Sequence, residues 1–475
     1  MGHRLTIGSG MWETLRSHLL ADRHEHLAFL LAGYTAVGGH QVLLACELVL
    51  IPDDDLEGSE YSCGLSLKLE ALLHVMNRAN RAGLALVEAH SHPFSTERVA
   101  FSPTDSEGQS EMVAYIADTL PGRPYGALVL GQQAVEGQVW LPGSARPEQL
   151  DEVRVVGDNM ARIFAGGTAR SYPRQVKARP LVSDCPYHRQ VLAIGEEGHA
   201  RLRSTRVAVV GLGGVGSVVA QQLAHLGVRQ FVLVDDDHVE RTNLHRLVGA
   251  VASDAGTAKV EVARRQIKAV NPTADVTLIP SSARTAEALD ALRGMDVLCG
   301  CVDTDAGRLI LNELALAYLI PYIDCGVGIV AGREGLEEAG GKVSVWTPGR
   351  PCLMCTKDIN PCIAAEELET QQEQEFRRLH GYVAGAHVPE PAVISLNSTV
   401  ASLAVTELLA LVTGVRPSLH YTYYDLLEGR SGARLCNADD RCTACALFAL
   451  GDKADVIRYS RAGLPSDLPA LEQNR

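Results

Sequence analysis

Three absences narrow the classes to which this chain can belong. It has no surplus of positive charge, since 43 Lys and Arg residues stand against 57 Asp and Glu residues, a formal net charge of −14 at pH 7. No broad cationic surface for nucleic acid is therefore expected. It also lacks an amino-terminal stretch of the targeting type, in which charged residues precede an apolar run. Internal repeats and low-complexity tracts are absent as well.

Long apolar runs are scarce too. The longest, residues 392–414, contains Ser, Asn, Thr and Glu, so we expect a core helix and no membrane span. The rest of the composition is that of a soluble globular protein, with 475 residues of which 46% are hydrophobic and 21% charged. A cytoplasmic protein of roughly two or three domains is expected, with neither membrane nor nucleic acid as a partner.

Patterns of apolar residues divide the chain into two large domains. Residues 1–150 predict an α+β domain, and residues 181–450 alternate strands and helices in the order of a doubly wound parallel sheet. Between them, 151–180 mixes basic residues with Gly and Pro and is interpreted as a connector, while 451–475 is interpreted as a frayed tail. The elements expected in the first domain are strands at 26–34, 41–50 and 84–89, a helix at 65–83 ending at Gly83, and a hairpin at 125–131 and 137–143.

A metal-binding pattern follows the strand at 84–89. Because side chains alternate along a strand, His90 and His92 are expected to lie on one side of its end, and Asp105 follows shortly afterwards. Two His residues and a carboxylate suit zinc and leave a fourth position for water, whose pKa the metal lowers. Ser102 is placed to stabilise an oxyanion or to orient that water. The alternative is a His pair in a surface loop.

The order and types of these four residues resemble the JAMM (JAB/MPN, Mov34-type) metalloproteases, deubiquitinase-like enzymes that cut isopeptide or peptide bonds after ubiquitin-fold domains. The resemblance implies a catalytic zinc site formed by His90, His92 and Asp105. It further implies that Glu25, in EHLAFLLAG, is the general acid and base, with Glu88 as a rival. The loop after His92 is longer than is usual in this family, so the substrate groove is expected to differ.

A glycine-rich turn follows the strand RVAVV and opens a helix. Its glycines permit a tight turn and allow backbone N–H groups to approach a phosphate; they are Gly211, Gly213, Gly214 and Gly216. Asp235 ends the next strand, at the position of the ribose-binding acid of dinucleotide-binding domains. An NAD-dependent oxidoreductase has the same features, so the turn alone is a weak signal.

The residues after this turn favour ATP chemistry. Asn243 and Arg246 come just past the second strand and Lys259 begins the next helix. Cations at these positions neutralise a triphosphate and the pyrophosphate that leaves it. Asp303 ends a later strand at the edge where ligands bind in such sheets, and one carboxylate there suits Mg²⁺.

Residues of about 185–450 closely resemble the E1-like adenylating family, which includes the ThiF/MoeB/HesA and ubiquitin-activating enzymes. The motifs YHRQ, GLGGVGS and TNLHR and the strand ending at Asp303 occur in the family's order. The resemblance implies that the glycines bind phosphate and Asp235 the ribose, that Asp303 holds Mg²⁺, and that the triphosphate is bound by Asn243, Arg246 and Lys259. It also implies a homodimer, formed through the adenylation domain, in which Arg189 of YHRQ reaches the ATP of the other subunit. A surface salt bridge is the alternative for Arg189.

Six of the twelve cysteines lie late in the chain. Two C-x-x-C pairs, Cys352 with Cys355 and Cys442 with Cys445, have the spacing of a closed tetrahedral zinc site of the structural kind, and the E1-like family has such a site at these places. A disulfide or redox pair is the alternative, and Cys436 lies close enough to replace Cys442. Cys362 precedes a Gln- and Glu-rich segment in which the family can place a thioester or persulfide cysteine; an incidental thiol is its alternative.

Together the resemblances predict a JAB/MPN-like metalloprotease fused to a Rossmann-like adenylation domain. The adenylation domain would activate the C-terminal Gly of a ubiquitin-like protein with Mg-ATP. In a further step, Cys362 would form a thioester with that protein, and an E2-like partner would accept it. The protease would trim a precursor or remove conjugates. Two alternatives remain: sulfur-carrier activation for cofactor or cysteine biosynthesis, and a regulatory binding protein with a degenerate hydrolase site. Bacterial antiphage conjugation systems contain similar parts, so a defence role is also expected.

Overall fold

The computed structural model describes residues 2–57, 66–164, 186–333, 335–369 and 391–461. Within these ranges the chain forms two eight-stranded sheets and one short two-stranded sheet. The first large sheet is barrel-like, and the second has the doubly wound arrangement that the alternation of strands and helices predicts.

The first sheet closes on itself. Its strands follow the order β1-β3-β2-β6-β7-β8-β9-β10, and β1 also pairs in parallel with β9. Its strands are β1 (His3–Gly8), β2 (Leu27–Val37), β3 (His40–Leu50), β6 (Ala85–Ser91), β7 (Tyr125–Leu130), β8 (Val135–Trp140), β9 (Glu148–Val156) and β10 (Met160–Phe164), while β4 (Leu56–Glu57) and β5 (Ser66–Leu67) form the short sheet. One face packs against α1 (Ser9–Leu19), and the other against α2 (Leu69–Ala82) and α3 (Pro103–Thr119). The expected strands and hairpin are confirmed, as is the helix end, where Gly83 adopts φ 65°.

The second sheet carries a topological switch point. Its order is β13-β12-β11-β14-β15-β16-β17-β18, with parallel pairing from β13 to β15 and antiparallel pairing beyond. The strands are β11 (Arg206–Val210), β12 (Gln230–Val234), β13 (Asp275–Ile279), β14 (Val297–Gly300), β15 (Tyr322–Gly332), β16 (Gly335–Trp346), β17 (Tyr421–Asp425) and β18 (Arg430–Ala433). Strand order reverses between β11 and β14, and ligands of open α/β sheets bind in the crevice at such a reversal.

Seven further helices accompany this sheet in the described ranges. They are α4 (His188–Ser204), α5 (Gly214–His225), α6 (Lys259–Val270), α7 (Ala286–Leu292), α8 (Asp305–Tyr318), α9 (Pro361–Glu367) and α10 (Ile394–Thr413). By length and composition α10 could cross a membrane, but 56% of its most apolar window is buried inside the protein. It packs against α5, α4 and the strands β15 and β16, as expected for a core helix.

Two predicted boundaries are corrected by the structure. Residues 151–164, expected to be connector, belong to β9 and β10. The predicted tail is ordered over 451–461, where Val456 and Tyr459 are buried in the core of the second domain. The remaining parts of the connector, 165–180, and of the tail, 462–475, lie outside the described residues.

A buried carboxylate joins the two domains. Asp296, directly before β14, has a side chain with no exposure to solvent. Its oxygens accept hydrogen bonds from Arg154 of β9, Arg162 of β10 and both the backbone and guanidinium of Arg206 in β11. Burial alone would raise the pKa of Asp296, but these guanidinium groups hold it well below its usual range. The arginines that made 151–164 resemble a linker are therefore buried counter-charges.

The segment after the second C-x-x-C pair forms another contact between the domains. Tyr34 of β2 forms a β-bridge with Gly451, and Thr35 donates a 2.8 Å hydrogen bond to Asp452. Gly33 has to be glycine here, because a Cβ would lie 2.0 Å from the carbonyl oxygen of Ala449. The cysteine-rich end of the second domain is thus packed directly on the first.

Replacing Asp296 with Asn should destabilise the protein by about 3–5 kcal/mol at neutral pH, because buried guanidinium groups lose their counter-charge. The loss should shrink as pH falls, since a carboxylate with a lowered folded-state pKa contributes stability above its unfolded pKa and loses it in acid. Denaturant unfolding of Asp296→Asn against Asp290→Asn, an exposed carboxylate paired with Arg293, measures this. Equal stability of the two variants would contradict the account.

Candidate functional sites

The glycine turn is built by steric necessity. Gly211 follows β11 with φ 83°, and a Cβ on it would lie 2.5 Å from the carbonyl oxygen of Cys301. A Cβ on Gly216 would lie 1.8 Å from the carbonyl oxygen of Gly211. Only glycine therefore allows the strand to turn so closely into α5, whose N-cap residue Gly213 offers no capping side chain. The first N–H groups of α5 consequently remain available for an anion.

A cavity of about 790 Å³ opens beside this turn, along the carboxyl ends of the parallel strands. The structure brings most of the predicted nucleotide residues to its lining: Gly211, Gly213, Gly214, Asp235, Asn243, Arg246, Lys259 and Asp303. Gly216 is buried behind the turn, and Arg189 is exposed on α4 outside the lining.

Asp235 and Lys259 are held in fixed positions inside the cavity. The carboxylate of Asp235 accepts backbone N–H groups from Leu212, at 2.5 Å, and Asp237, at 2.9 Å. Burial raises the pKa of Asp235, and the nearby Lys259 partly opposes that shift. The Lys259 ammonium lies 2.6 Å from Asp237 and 4.0 Å from Asp235. A triphosphate entering here would compete with these carboxylates for the ammonium.

A second cluster lies at the end of β6. Nε2 of His90 and of His92 lie 3.5 Å and 3.4 Å from Oδ2 of Asp105, which is in the first turn of α3. A tetrahedral zinc ion with bonds of about 2.0–2.1 Å separates its ligand atoms by about 3.3 Å, so the cluster has suitable dimensions. Nε2 of His90 is also buried without a hydrogen-bond partner, as expected of an atom oriented toward a cation.

The charges around this cluster favour a cation. Burial lowers the pKa of His90, but the carboxylates of Asp105 and Glu88 outweigh it and raise the pKa to about 9. Burial would raise the pKa of Asp105, yet the neighbouring His90 and the hydrogen bond from the N–H of Ser102 hold that pKa below its usual range. A positive charge between these groups, whether a proton or a metal ion, is therefore stabilised.

The structure separates the two candidate acids. Glu25 lies 3.6 Å from Nε2 of His92, on the side where the metal-binding nitrogens meet, and burial raises its pKa. Glu88 instead lies 3.7 Å from Nδ1 of His90, on the other side of the ring, and accepts a 2.8 Å hydrogen bond from Tyr125. Of the two acids, only Glu25 therefore faces the ring nitrogens that lie around Asp105. Ser102 caps α3, and its Oγ accepts the N–H of Asp105 at 3.1 Å.

The four paired cysteines form a third cluster. Four of the six distances between their Sγ atoms are 3.5–3.8 Å, and all lie within 4.8 Å. Zn–S bonds of about 2.3 Å in a tetrahedron give about 3.8 Å. A disulfide would require about 2.05 Å. Cys436 is not part of the cluster. Cys362 is exposed at the start of α9, with its N–H bonded to Asn360, and does not line the nucleotide cavity.

A family comparison identifies the second domain. The ThiF family model matches residues 187–446, more than half of the chain. The chain belongs to the ThiF family. Residues 2–164 lie outside the matched range.

Curated relatives agree with this placement of the ThiF region. The SAMP-activating enzyme E1 of Haloferax volcanii is 35% identical over an aligned region that covers 36% of this chain and 60% of that protein's length. A sulfur carrier protein adenylyltransferase of Thermus thermophilus is 29% identical over 54% of this chain and 89% of its own length. The crystal structure of E. coli MccB with ATP aligns over 56% of this chain and 75% of that chain, at 19% identity and a TM-score of 0.45.

The ThiF region also places side chains in the cavity that sequence reasoning missed. Arg308 lies on the first turns of α8, and Asn397 on α10. The position of Arg308 in CVDTDAGR, one helical turn after Asp305, is a signal that could have predicted it. Asn397 lies in a run interpreted only as a core helix, and no local pattern distinguishes it.

Cys442→Ser should abolish metal binding at the cysteine cluster while leaving metal at the histidine cluster. Because Ala444 and Phe448 pack in the same apolar cluster as Val42 of β3, the loss should also lower the melting temperature of the whole chain. Metal analysis and thermal unfolding measure both effects, with Cys436→Ser as the matched control. Retention of full metal content in Cys442→Ser would contradict the four-cysteine assignment.

Proposed function

We propose that the chain is an E1-like adenylating enzyme that activates the C-terminal glycine of a ubiquitin-like or sulfur-carrier protein with Mg-ATP. The supporting observation is the cavity at the switch point of a ThiF-family sheet, where an uncapped helix N-terminus, Arg246, Lys259 and Asp303 converge. The Haloferax and Thermus relatives, a SAMP-activating enzyme and a sulfur carrier protein adenylyltransferase, support the substrate class.

In this proposal each lining residue has a defined task. The N–H groups of the glycine turn bind phosphate, and Asp235 accepts hydrogen bonds from the ribose hydroxyls. Asp303 would hold Mg²⁺, whose charge would neutralise phosphate oxygens. A carboxylate oxygen of the carrier forms a bond to the α-phosphorus as the bond to pyrophosphate breaks. Asn243, Arg246 and Lys259 stabilise the charge that gathers on the leaving pyrophosphate.

Arg189 is proposed to complete the site of a second copy. It is exposed on α4 and outside the cavity of its own chain, as a residue that reaches a neighbour's site should be. Homodimer formation through the adenylation domain follows from this proposal.

Lys259→Ala should lower carrier-dependent ATP–pyrophosphate exchange by at least about 100-fold, because it removes a cation from the developing phosphate charge. Arg264→Ala, on the same helix but paired with Glu261 on the exposed side, is the matched control and should exchange normally. Exchange by Lys259→Ala at the wild-type rate would contradict the assignment. If the wild-type protein shows no exchange with ubiquitin-fold carriers ending in Gly, the proposed function is wrong.

A second activity is proposed for the first domain: a zinc peptidase or isopeptidase that acts on the same carrier. The observation favouring it is the convergence of His90, His92 and Asp105 beside Glu25. A zinc ion held there would supply a water of lowered pKa. Glu25 is positioned to take a proton from that water and pass it to the leaving amine. Ser102, whose Oγ accepts the N–H of Asp105, would stabilise an oxyanion or orient that water.

Glu25→Gln should abolish cleavage of a carrier extended beyond its terminal glycine while leaving zinc content unchanged, since Glu25 is not in the metal-binding trio. Glu107→Gln, on the exposed side of α3, should cleave normally. Incubation followed by intact-mass measurement tests this. Equal cleavage by Glu25→Gln and wild type would contradict the role of Glu25, and cleavage that survives metal removal would contradict the zinc site.

Cys362 is proposed as the acceptor of the activated acyl group, with an E2-like protein as the next carrier. Its exposure at the start of α9 supports access by a partner. The helix adjoins the cavity, because Glu367 at its end accepts the N–H of Ala306 in α8 and lines the cavity. A direct attack would require Cys362 to move closer to the cavity.

A further inference from the structure

The nucleotide cavity has two distinguishable ends. It runs across the carboxyl ends of β13, β12, β11, β14 and β15, which are consecutive in the sheet. Asp235 and Ser282 line the end near β12 and β13. Gly326 and Val327, which belong to β15, line the opposite end. Since the ribose-binding acid belongs to the β12 end, the β15 end is left for the group that reacts with the α-phosphate.

Asn397 stands where the glycine turn meets this second end. It is only 4% exposed, yet it lines the cavity. A Cβ on Gly214 would lie 2.2 Å from Nδ2 of Asn397 and 3.4 Å from Cδ of Arg246. The amide therefore occupies the space that the glycine leaves free, next to a cation proposed for the triphosphate.

The amide of Asn397 has no hydrogen-bond partner in the part of the chain that the structure describes. An Asn side chain offers two donors and an acceptor, so the amide of Asn397 has hydrogen-bonding capacity left for a group in the cavity. A buried amide that lines a cavity without a partner is therefore expected to bond to what the cavity holds.

The backbone around Asn397 favours a negative charge. It lies in the first turns of α10, whose N-cap residue Val393 provides no capping hydrogen bond, and Pro391 and Ala392 line the cavity. The equally uncapped start of α5 lies against it at Gly214. Two helix N-termini and an unpaired amide donor thus meet at one corner, an arrangement that suits an anion.

We propose that Asn397 donates an Nδ2–H hydrogen bond to the carboxylate of the carrier's terminal glycine and orients it toward the α-phosphate. This rests on the proposed adenylation. One carboxylate oxygen forms the new bond to phosphorus, the bond to pyrophosphate breaks, and no proton changes place. The second oxygen stays bonded to Asn397, so the amide acts on the carrier and leaves nucleotide binding to the turn and the cations.

The test compares Asn397→Ala, Asn397→Asp and the control Ser398→Ala, which is next on the same helix but outside the cavity lining. Binding of Mg-ATP alone is measured by calorimetry. Pyrophosphate exchange is measured against the concentration of a ubiquitin-fold sulfur carrier ending in Gly-Gly. Asn397→Ala should lower exchange at low carrier concentration by roughly 10–100-fold, the worth of a hydrogen bond to a charged group. ATP affinity should stay within about twofold of wild type, an effect worth less than one such bond.

Asn397→Asp should lose more, because a second negative charge would repel the carboxylate. Normal exchange by Asn397→Ala would overturn the proposal. The proposal would also be overturned if Asn397→Ala lost as much ATP affinity as exchange activity, since Asn397 would then only support the conformation of the glycine turn. If wild type binds ATP but exchanges with no Gly-ending carrier, the proposed function itself fails. If wild type exchanges and the variants match it, only the role of Asn397 fails.

Discussion

The buried carboxylate of Asp296 is the constraint on which the arrangement of the molecule depends. It precedes the central strand β14 and accepts hydrogen bonds from arginines of both sheets. A carboxylate with no solvent exposure is strongly disfavoured unless paired, and the arginines are disfavoured without it. Arginines of the first domain therefore pair with a carboxylate of the second. This pairing holds the barrel edge β9–β10 and the doubly wound sheet in one relative position.

Arg4 shows how tightly this junction is packed. Burial and the neighbouring Arg154 lower the pKa of Arg4 to about 9, although Asp296 acts in the opposite direction. At a second contact, Asp452 accepts hydrogen bonds from Thr35 of the first domain and from Arg293 and Tyr318 of the second. The junction thus has a charged contact at one place and a packed segment, continuous with the cysteine cluster, at another.

Both candidate sites use the same local design. In each, a buried strand ends and a helix begins nearby, so strand-end side chains and the start of a helix face one space. At β6 the pair is His90 and His92 with Asp105 of α3, and at β11 it is the glycine turn with α5. Rigid strands fix the side chains, while the helix starts supply the positive potential that a carboxylate or phosphate needs.

Local rules account for what the sequence could predict. Strand alternation places His90 and His92 together, and the glycine spacing marks the turn, because both depend on neighbouring residues. The parallel pairing of β1 with β9 closes the barrel between residues about 148 positions apart, such as Arg4 and Glu152, and no local pattern contains it. Arg154 and Arg162 resembled a linker because their partner, Asp296, is distant in sequence. Asn397 was missed for the same reason, since only the fold brings it against Gly214.

The proposed function requires two sites in one chain to act on the same carboxyl terminus. The most direct measurement incubates the zinc-loaded full chain and Mg-ATP with a ubiquitin-fold carrier extended past its Gly-Gly, and follows the carrier by intact-mass spectrometry. The account predicts removal of the extension followed by the appearance of the carrier adenylate. A carrier already ending in Gly-Gly that never becomes adenylated would contradict it.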